Sequence, residues 1–305
     1  MNDLWWVFLT LIASFATALT VFFDNYIVDV YFKKRSPFSQ KIVYAFLSLA
    51  TALIIALFWP IENIPISAII FIMLSGAAYA LALIPYYFAL QQENSTASEI
   101  FYQTAPIFTF ILGALFLGEN LDVIQAIAFA LILIADLVVI MARRGKDKKA
   151  SFKAAALMII AAIIWALSDL FFAKSGEEFD FVTTLMYMLL GRAVVDFVVV
   201  AVFKKERDYC FKMLKKKGSK VWGVITIDFI IEIVSDLIYR FALLMAPIAL
   251  VSALESTSEL VFAFLLGLIL TAIWPKFGRE KLDKRTISSH LLAIAILVVA
   301  ILLLG

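Results

Sequence analysis

VWGVITIDFIIEIVSDLIYRFALLM, Val221–Met245, sets Asp228, Glu232, Asp236 and Arg240 four residues apart in an otherwise apolar stretch long enough to cross a bilayer. A helix turns once in about 3.6 residues, so this spacing places all four side chains on one face. The next apolar stretch repeats the device with Glu255 and Glu259. An ionisable group near the bilayer centre costs roughly 2.5–3.5 kcal/mol on insertion scales, so both faces are expected to look into a shared polar interior rather than lipid. Faces of this kind mark a pathway across a membrane.

The rest of the composition agrees. The chain has 305 residues, of which 64% are hydrophobic, and a mean hydropathy of +1.00. A soluble protein of this size cannot hide that much apolar surface in one core. The formal net charge of +2 implies no nucleic-acid partner. The single cysteine, Cys210, allows no internal disulfide and fits no metal-site spacing. Met1-Asn2-Asp3 has no basic character, and the apolar run after it exceeds a signal-peptide core, so that run reads as the first membrane helix.

Ten spans are expected: residues 4–30, 41–59, 66–90, 95–117, 121–141, 154–173, 181–203, 221–245, 248–273 and 288–304. Gly118-Glu119-Asn120 joins the fourth and fifth, and Ala246-Pro247 joins the eighth and ninth. Links that short make antiparallel neighbours. The fold class is therefore all-α, a polytopic bundle of ten transmembrane helices. Lysine and arginine concentrate in the loops after spans one (Lys33, Lys34, Arg35, Lys41), five (Arg143 to Lys153), seven (Lys204 to Lys220) and nine (Lys276 to Arg285). Positive loops stay cytoplasmic, so both termini are expected to be extracytoplasmic. Residues 206–220 are expected to be a solvated basic loop, with an amphipathic segment on the inner membrane surface as the alternative.

The halves echo each other. Tyr86-Tyr87-Phe88-Ala89-Leu90 matches Tyr239-Arg240-Phe241-Ala242-Leu243 in all but one position at an offset of 153. Leu121-Asp122 opens span five as Leu282-Asp283 opens span ten, and Phe22-Phe23 corresponds to Phe171-Phe172. Five spans per half is an odd number, so the second copy enters the membrane inverted. The expected organisation is a first repeat over 1–142, a basic cytoplasmic linker over 143–153 and a second repeat over 154–305. Inverted repeats with a site at their interface are a recurring transporter plan.

The segment Tyr86–Leu90, then Ala105-Pro106-Ile107-Phe108-Thr109, then Leu117-Gly118-Glu119-Asn120-Leu121, followed by Gln125 and Leu131-Ile132-Leu133-Ile134, resembles the drug/metabolite transporter superfamily, in particular its EamA-type ten-helix members. The resemblance extends along the whole chain. It implies two inverted five-helix halves, a central cavity lined by helices three, four, eight and nine, and alternating access. The sequence departs from that pattern in three ways. The glycines usual in helix five are Ala128 and Ala135, the second-half position matching Pro106 is Glu259, and the charge bias places the termini opposite to typical members.

Glu232 sits near the middle of its span with an aspartate one turn to either side. Three like charges within two turns repel unless a cation or protons intervene, so one of the three is expected protonated when no substrate is bound. Glu259 falls near mid-span on a face shared with Ser252, Glu255 and Ser256. Asp236 with Arg240, and Arg192 with Asp196, have the one-turn spacing of structural ion pairs, and Asp228 is expected near the cytoplasmic interface. Asp169 accompanies Trp165 and Ser168, while Asp136 has no partner adjacent in sequence. The first half offers Tyr79, Tyr86, Tyr87, Tyr102, Gln103 and Thr104 to the cavity, with Glu93 and Glu99 flanking the turn into span four. For a single tyrosine, packing is the plainer reading. Trp5, Trp6, Trp59, Trp222 and Trp274 fit an interfacial belt, and His290 an interfacial position.

No enzyme constellation is present: there is no nucleotide-binding glycine loop, no histidine pair and no Ser/His/Asp set. No cofactor is expected. The leading reading is a secondary active transporter of a small organic cation or zwitterion, proton-coupled and working by alternating access. Substrate would meet Glu232, Glu259, Asp236, Glu255, Ser256, Tyr79, Tyr102 and Trp165, with Glu232 and Glu259 exchanging protons. Cation–π contact and carboxylates together suit an amine, guanidinium, polyamine or quaternary ammonium group. The expected partners are substrate, protons and the lipid bilayer, in a plasma (inner) membrane, as monomer or homodimer. One rival is an anionic or amino-acid-like substrate held by Arg192 and Arg240. Another is a non-transporting receptor or assembly subunit whose charges serve only helix pairing.

Overall fold

A computed structural model describes residues 4–27, 38–90, 101–143, 152–273 and 284–304. Among them the chain is helical, with no strand. The first half forms α1 (Trp5–Tyr26), α2 (Phe38–Phe58), α3 (Ile66–Leu90), α4 (Ala105–Leu112) and α5 (Val123–Arg143). The second forms α6 (Phe152–Gly176), α7 (Phe181–Val202), α8 (Lys204–Lys217), α9 (Ser219–Leu243), α10 (Ile248–Ile273) and α11 (Lys284–Leu304). Most of the 143–153 linker, Glu93, Glu99, Trp274, the basic stretches 31–37 and 276–283 and the side chain of Tyr87 lie outside the described residues.

Among the described residues, eight helices are long and apolar enough to cross a membrane: α1, α2, α3, α5, α6, α7, α10 and α11. The protein is a multi-pass membrane protein. The fourth expected span is a shorter apolar piece, Ala105–Leu117, in which a π turn over Gly113–Leu117 extends α4. The chain turns at Gln103-Thr104 before α4 begins, with Pro106 in its first turn. Proline has no N–H to give an upstream carbonyl, so a helix tends to start there. The eighth expected span, α9, has the length but carries the ionisable face quoted above.

Large apolar side chains cover the outside, such as Phe58 at 82% and Phe152 at 89% exposure. The largest fully buried side chains include Arg192, Arg240 and Lys41. That is a bundle whose solvent is lipid and whose interior holds the polar groups.

The extensive helix contacts join one half to the other. α3 packs on α6 and α7, α1 on α9 and α10, α2 on α7, α4 on α6 and α10, and α5 on α10 and α11. At the α3–α7 crossing the backbones nearly touch. A Cβ on Gly76 would lie 1.8 Å from the Met188 carbonyl oxygen, and one on Gly191 2.0 Å from that of Met73. Lipid-embedded helices associate through such close packing, because lipid tails leave little hydrophobic drive between them. A second tie is polar. Gly118, in the left-handed conformation at φ 68°, turns the chain so that both Glu119 carboxylate oxygens accept from the Ile248 N–H, at 3.0 and 3.1 Å. The first half thus caps the start of α10. Burial raises the Glu119 carboxyl above its ordinary range, and the Ile248 hydrogen bonds partly offset this.

Some expectations are corrected here. Residues 204–217 are a helix rather than a solvated loop, because Cys210 packs, fully buried, with Ile27, Ile42, Val221 and Ile225. Trp6 is a core residue rather than part of a belt, joining the cluster of Ala128, Leu250 and Leu297. Trp5, Trp59 and Trp222 are exposed. His290, near the start of its span, is buried and stacked on Phe264 with ring centroids 3.7 Å apart.

Gly76→Ala and Gly191→Ala should each cost at least about 1–3 kcal/mol, the range for overpacking. Thermal unfolding in detergent reads this, and Gly223→Ala, with open space around it, serves as the neutral control. Burial pushes the Cys210 thiol up to about 12. The reactive form is the thiolate, so Cys210 should resist maleimide labelling at neutral pH until the protein is unfolded; rapid labelling of folded protein would contradict this packing.

Candidate functional site

The four-residue spacing on α9 does put Asp228, Glu232, Asp236 and Arg240 on one inward face: Asp228 and Arg240 are fully buried, and Asp236 is 8% exposed. Two guanidinium groups organise what surrounds this face. The Arg192 Nη2, from α7, donates to Glu232 Oε1 at 2.8 Å, and the Tyr79 hydroxyl donates to the same oxygen at 2.8 Å. The Arg192 guanidinium also lies 4.7 Å from the Tyr79 ring centroid. Its one-turn neighbour Asp196 is farther, with Nε–Oδ2 at 3.8 Å, and Asp196 instead has Lys41 Nζ 3.2 Å from its other oxygen. A buried ladder Lys41–Asp196–Arg192–Glu232 therefore joins α2, α7 and α9.

The second group is Arg240. Its Nη1 donates to Asp169 Oδ1 at 2.8 Å, its Nε to Asp236 Oδ1 at 3.1 Å and its Nη2 to the Ser168 hydroxyl at 3.0 Å. Tyr239 completes Asp169 by donating to Oδ2 at 2.8 Å. Asp236 sits one turn from Arg240 as the spacing suggested, but the shorter contact comes from α6. Multiple charge-assisted hydrogen bonds are what make such burial tolerable.

Between these clusters lies a cavity of about 180 Å³. Its acids are Glu232 and Asp236 from α9 and Glu255 and Glu259 from α10. Its rings are Tyr44, Tyr79, Tyr86, Tyr102, Trp165 and Tyr239. Thr17, Thr20 and Ser235 add hydroxyls. Among the described residues, no lysine, arginine or histidine lines it. The Tyr79 and Trp165 rings pack with centroids 4.8 Å apart, and Tyr86 and Tyr102 at 4.9 Å, forming one aromatic wall. Thr17 bridges, hydrogen-bonding Ser235 at 2.7 Å and also the Glu255 carboxyl.

Every substrate-contact residue named from the sequence lines this cavity except Ser256, whose hydroxyl donates to the Gln103 side-chain oxygen where the chain turns before α4. Asp228 is fully buried; Tyr44 donates to its Oδ2 at 2.5 Å and packs against Phe229. Lys41 is not a loop charge but is 1% exposed beside Asp196. Sequence reasoning missed Thr17, Thr20, Lys41 and Tyr44 as members of the interior. Thr17 and Thr20 carry a weak signal, since two hydroxyls three apart share a helix face. Lys41 and Tyr44 carry the same three-residue spacing at the start of span two.

Among the described residues, no group of three or more His, Cys, Asp or Glu is placed to hold a metal ion. The site is built to hold charge and stack rings.

Residues 4–141 match the EamA-like transporter family, as the motif resemblance implies. No curated protein matches the chain in sequence. A solved crystal structure of a protein aligns over 97% of this chain and 95% of its own, with a TM-score of 0.65 and 13% identity. At that identity the likeness is one of fold.

Replacing Arg240 by Met should cost about 3–5 kcal/mol, the usual penalty for leaving a buried acid uncompensated. Adding Asp169→Asn should recover part of that loss. Unfolding temperatures of the single and double variants check both, and a single variant as stable as the parent would show that the cluster does not hold α6 to α9.

Proposed function

We propose that this membrane protein, whose first half is an EamA-like transporter domain, is a secondary transporter of a small organic cation or zwitterion, driven by protons and working by alternating access. The observation that carries this reading is the make-up of the cavity wall: several carboxylates, a continuous aromatic face and, among the described residues, no basic side chain. A cation entering such a chamber gains Coulomb attraction from the acids and cation–π attraction from the rings. The volume is below the roughly 300–1,000 Å³ usual for drug-sized ligands, so a compact amine, guanidinium or quaternary ammonium group fits best.

The roles within the wall differ. Glu232 and Asp236 already face Arg192 and Arg240 at hydrogen-bond distance. Glu255 and Glu259, one turn apart on α10 and sharing the cavity wall with Tyr102, Tyr86 and Trp165, meet the charge of the substrate. Glu232 and Tyr79 orient the Arg192 ladder and close the chamber on that side. The rival anion reading is disfavoured because neither arginine lines the cavity, and Arg240 has its Nε, Nη1 and Nη2 all engaged.

Alternating access is best served by two inverted five-helix halves, 1–142 and 154–305, making ten spans with α4 and α9 included. Two contacts support that arrangement. Tyr79 touches Glu232 and Gln103 touches Ser256, each pair 153 residues apart. This is the offset that relates Tyr86–Leu90 to Tyr239–Leu243. Residues equivalent by a two-fold axis can meet only near that axis, so both contacts fall where a pseudo-two-fold would pass through the chamber. The halves would rock about it. With the basic loops on the cytoplasmic side, both termini lie outside, in a plasma (inner) membrane.

In proteoliposomes with an imposed pH gradient, a panel of amines, guanidines, polyamines and quaternary ammonium ions should include at least one accumulated species, with phosphorylated metabolites excluded. Glu255→Gln and Glu259→Gln should each reduce that uptake by about tenfold or more, in line with loss of one desolvated charge contact at about 1.5–3 kcal/mol. Uptake indifferent to both replacements, or confined to anions, would reject the cation reading.

A further inference from the structure

Arg192 and Arg240 are both fully buried, yet they are held in opposite ways. Arg240 donates from Nε, Nη1 and Nη2, to two acids and a hydroxyl. Arg192 donates from Nη2 alone, to Glu232 Oε1. Among the described residues, its Nε and Nη1 are buried without an acceptor. Unpaired buried donors are expensive, so a guanidinium with two of them calls for a second arrangement that uses them.

That arrangement is within reach. Asp196, one turn along α7, holds its Oδ2 3.8 Å from Arg192 Nε, and neither Asp196 oxygen accepts a hydrogen bond among the described residues. Lys41 Nζ lies 3.2 Å from Oδ1 but is not aligned to donate to it. Closing the 3.8 Å gap to the usual N–H···O distance takes a shift of about 1 Å. The guanidinium centre lies 4.7 Å from the Tyr79 ring, 5.6 Å from Tyr44 and 5.7 Å from Phe229. Attraction to a ring face extends to about 6 Å, so the charge stays stabilised along so short a path.

The present partner is one that a ligand can contest. Glu232 lines the chamber with its side chain 17% exposed, whereas Arg192 is fully buried behind it. We propose that Arg192 is a tethered counter-cation with two seats: it sits on Glu232, as here, and draws back onto Asp196 when a substrate cation takes that carboxylate. Glu232 then joins Glu255 and Glu259 as a third acid facing the substrate. No proton moves and no bond is made or broken. Lys41, Asp196, Arg192 and Glu232 carry two charges of each sign in both arrangements, and the arriving cation is the only charge added. The proposal rests on the cation-carrier reading for the identity of the competitor.

The test follows arginine side chains by nitrogen-15 NMR, in arginine-labelled protein in lipid nanodiscs, with Arg192→Lys identifying the Arg192 signals. Glu232→Gln removes the charge that a bound cation would occupy, so it needs no substrate. In that variant the Arg192 Nε proton should move downfield and exchange slowly with solvent, as in a hydrogen bond to a carboxylate, while the Arg240 signals stay in place. Adding Lys41→Met with Asp196→Asn, which removes one charge of each sign, should abolish the shift. An Arg192 Nε signal unmoved by Glu232→Gln would overturn the two seats. Methylammonium, guanidinium and tetramethylammonium are then titrated into the parent with binding read by calorimetry. A probe that binds should produce the same Nε shift. The Lys41→Met/Asp196→Asn pair should bind it about tenfold more weakly, since Arg192 has lost its second seat. Arg192→Gln should bind it more tightly and turn it over more slowly; weaker binding there would make Arg192 merely structural and overturn the proposal. A probe bound without an Nε shift would overturn the switch and leave the carrier reading in place. An Nε shift in Glu232→Gln, with no probe bound or accumulated, would keep the two seats and reject a cation as their trigger.

Discussion

A guanidinium group in the interior of a lipid-embedded bundle must be surrounded by acids and acceptors, and much of this structure follows from meeting that demand for Arg192 and Arg240. Each is fully buried. Arg240 draws Asp169 and Ser168 from α6 and Asp236 from its own helix, while Arg192 draws Glu232 from α9. The geometry is unforgiving because every missing partner exposes an uncompensated charge in a low dielectric. Helices α6, α7 and α9 are thereby held in register by polar contacts at the centre of the bundle.

The periphery is held differently. Gly76 and Gly191 bring α3 and α7 to backbone contact, where dispersion rather than charge provides the attraction. Glu119 ties the turn after α4 to the start of α10. These ties cross from one half of the chain to the other, as do the extensive helix contacts. The chamber is thus an interface, and its walls belong to different halves: tyrosines chiefly from the first, carboxylates from the second. A relative movement of the halves would change the distance between ring and acid.

Several elements were legible before any coordinates. The four-residue spacing of Asp228, Glu232, Asp236 and Arg240 required a helix with one polar face, and an ionisable group at each position of that face required an interior to receive it. The apolar runs located most of the membrane helices to within a few residues, whereas α4 begins only at Ala105 and the polar helix α8 left no such run. The partners were not legible. Arg240 is one turn from Asp236, and the sequence offers that pairing alone, yet its shorter contact is to Asp169, 71 residues away. Arg192 likewise lies 3.8 Å from Asp196, one turn away, yet its shorter contact is to Glu232 of α9 at 2.8 Å. Lys41 and His290 looked like ends of spans, because hydropathy marks where a polar residue occurs but not whether another helix covers it.

Helical periodicity and the expense of charge in lipid are local properties, readable along one strand of letters. They were enough to define a membrane bundle of apolar helices, with Glu232, Asp236, Glu255 and Glu259 directed inward. Which acid meets which base is a property of pairs brought together by packing, and chain distance says nothing of it. Only the tertiary arrangement brought Arg192 to Glu232 and Arg240 to Asp169, partners on helices distant in the chain.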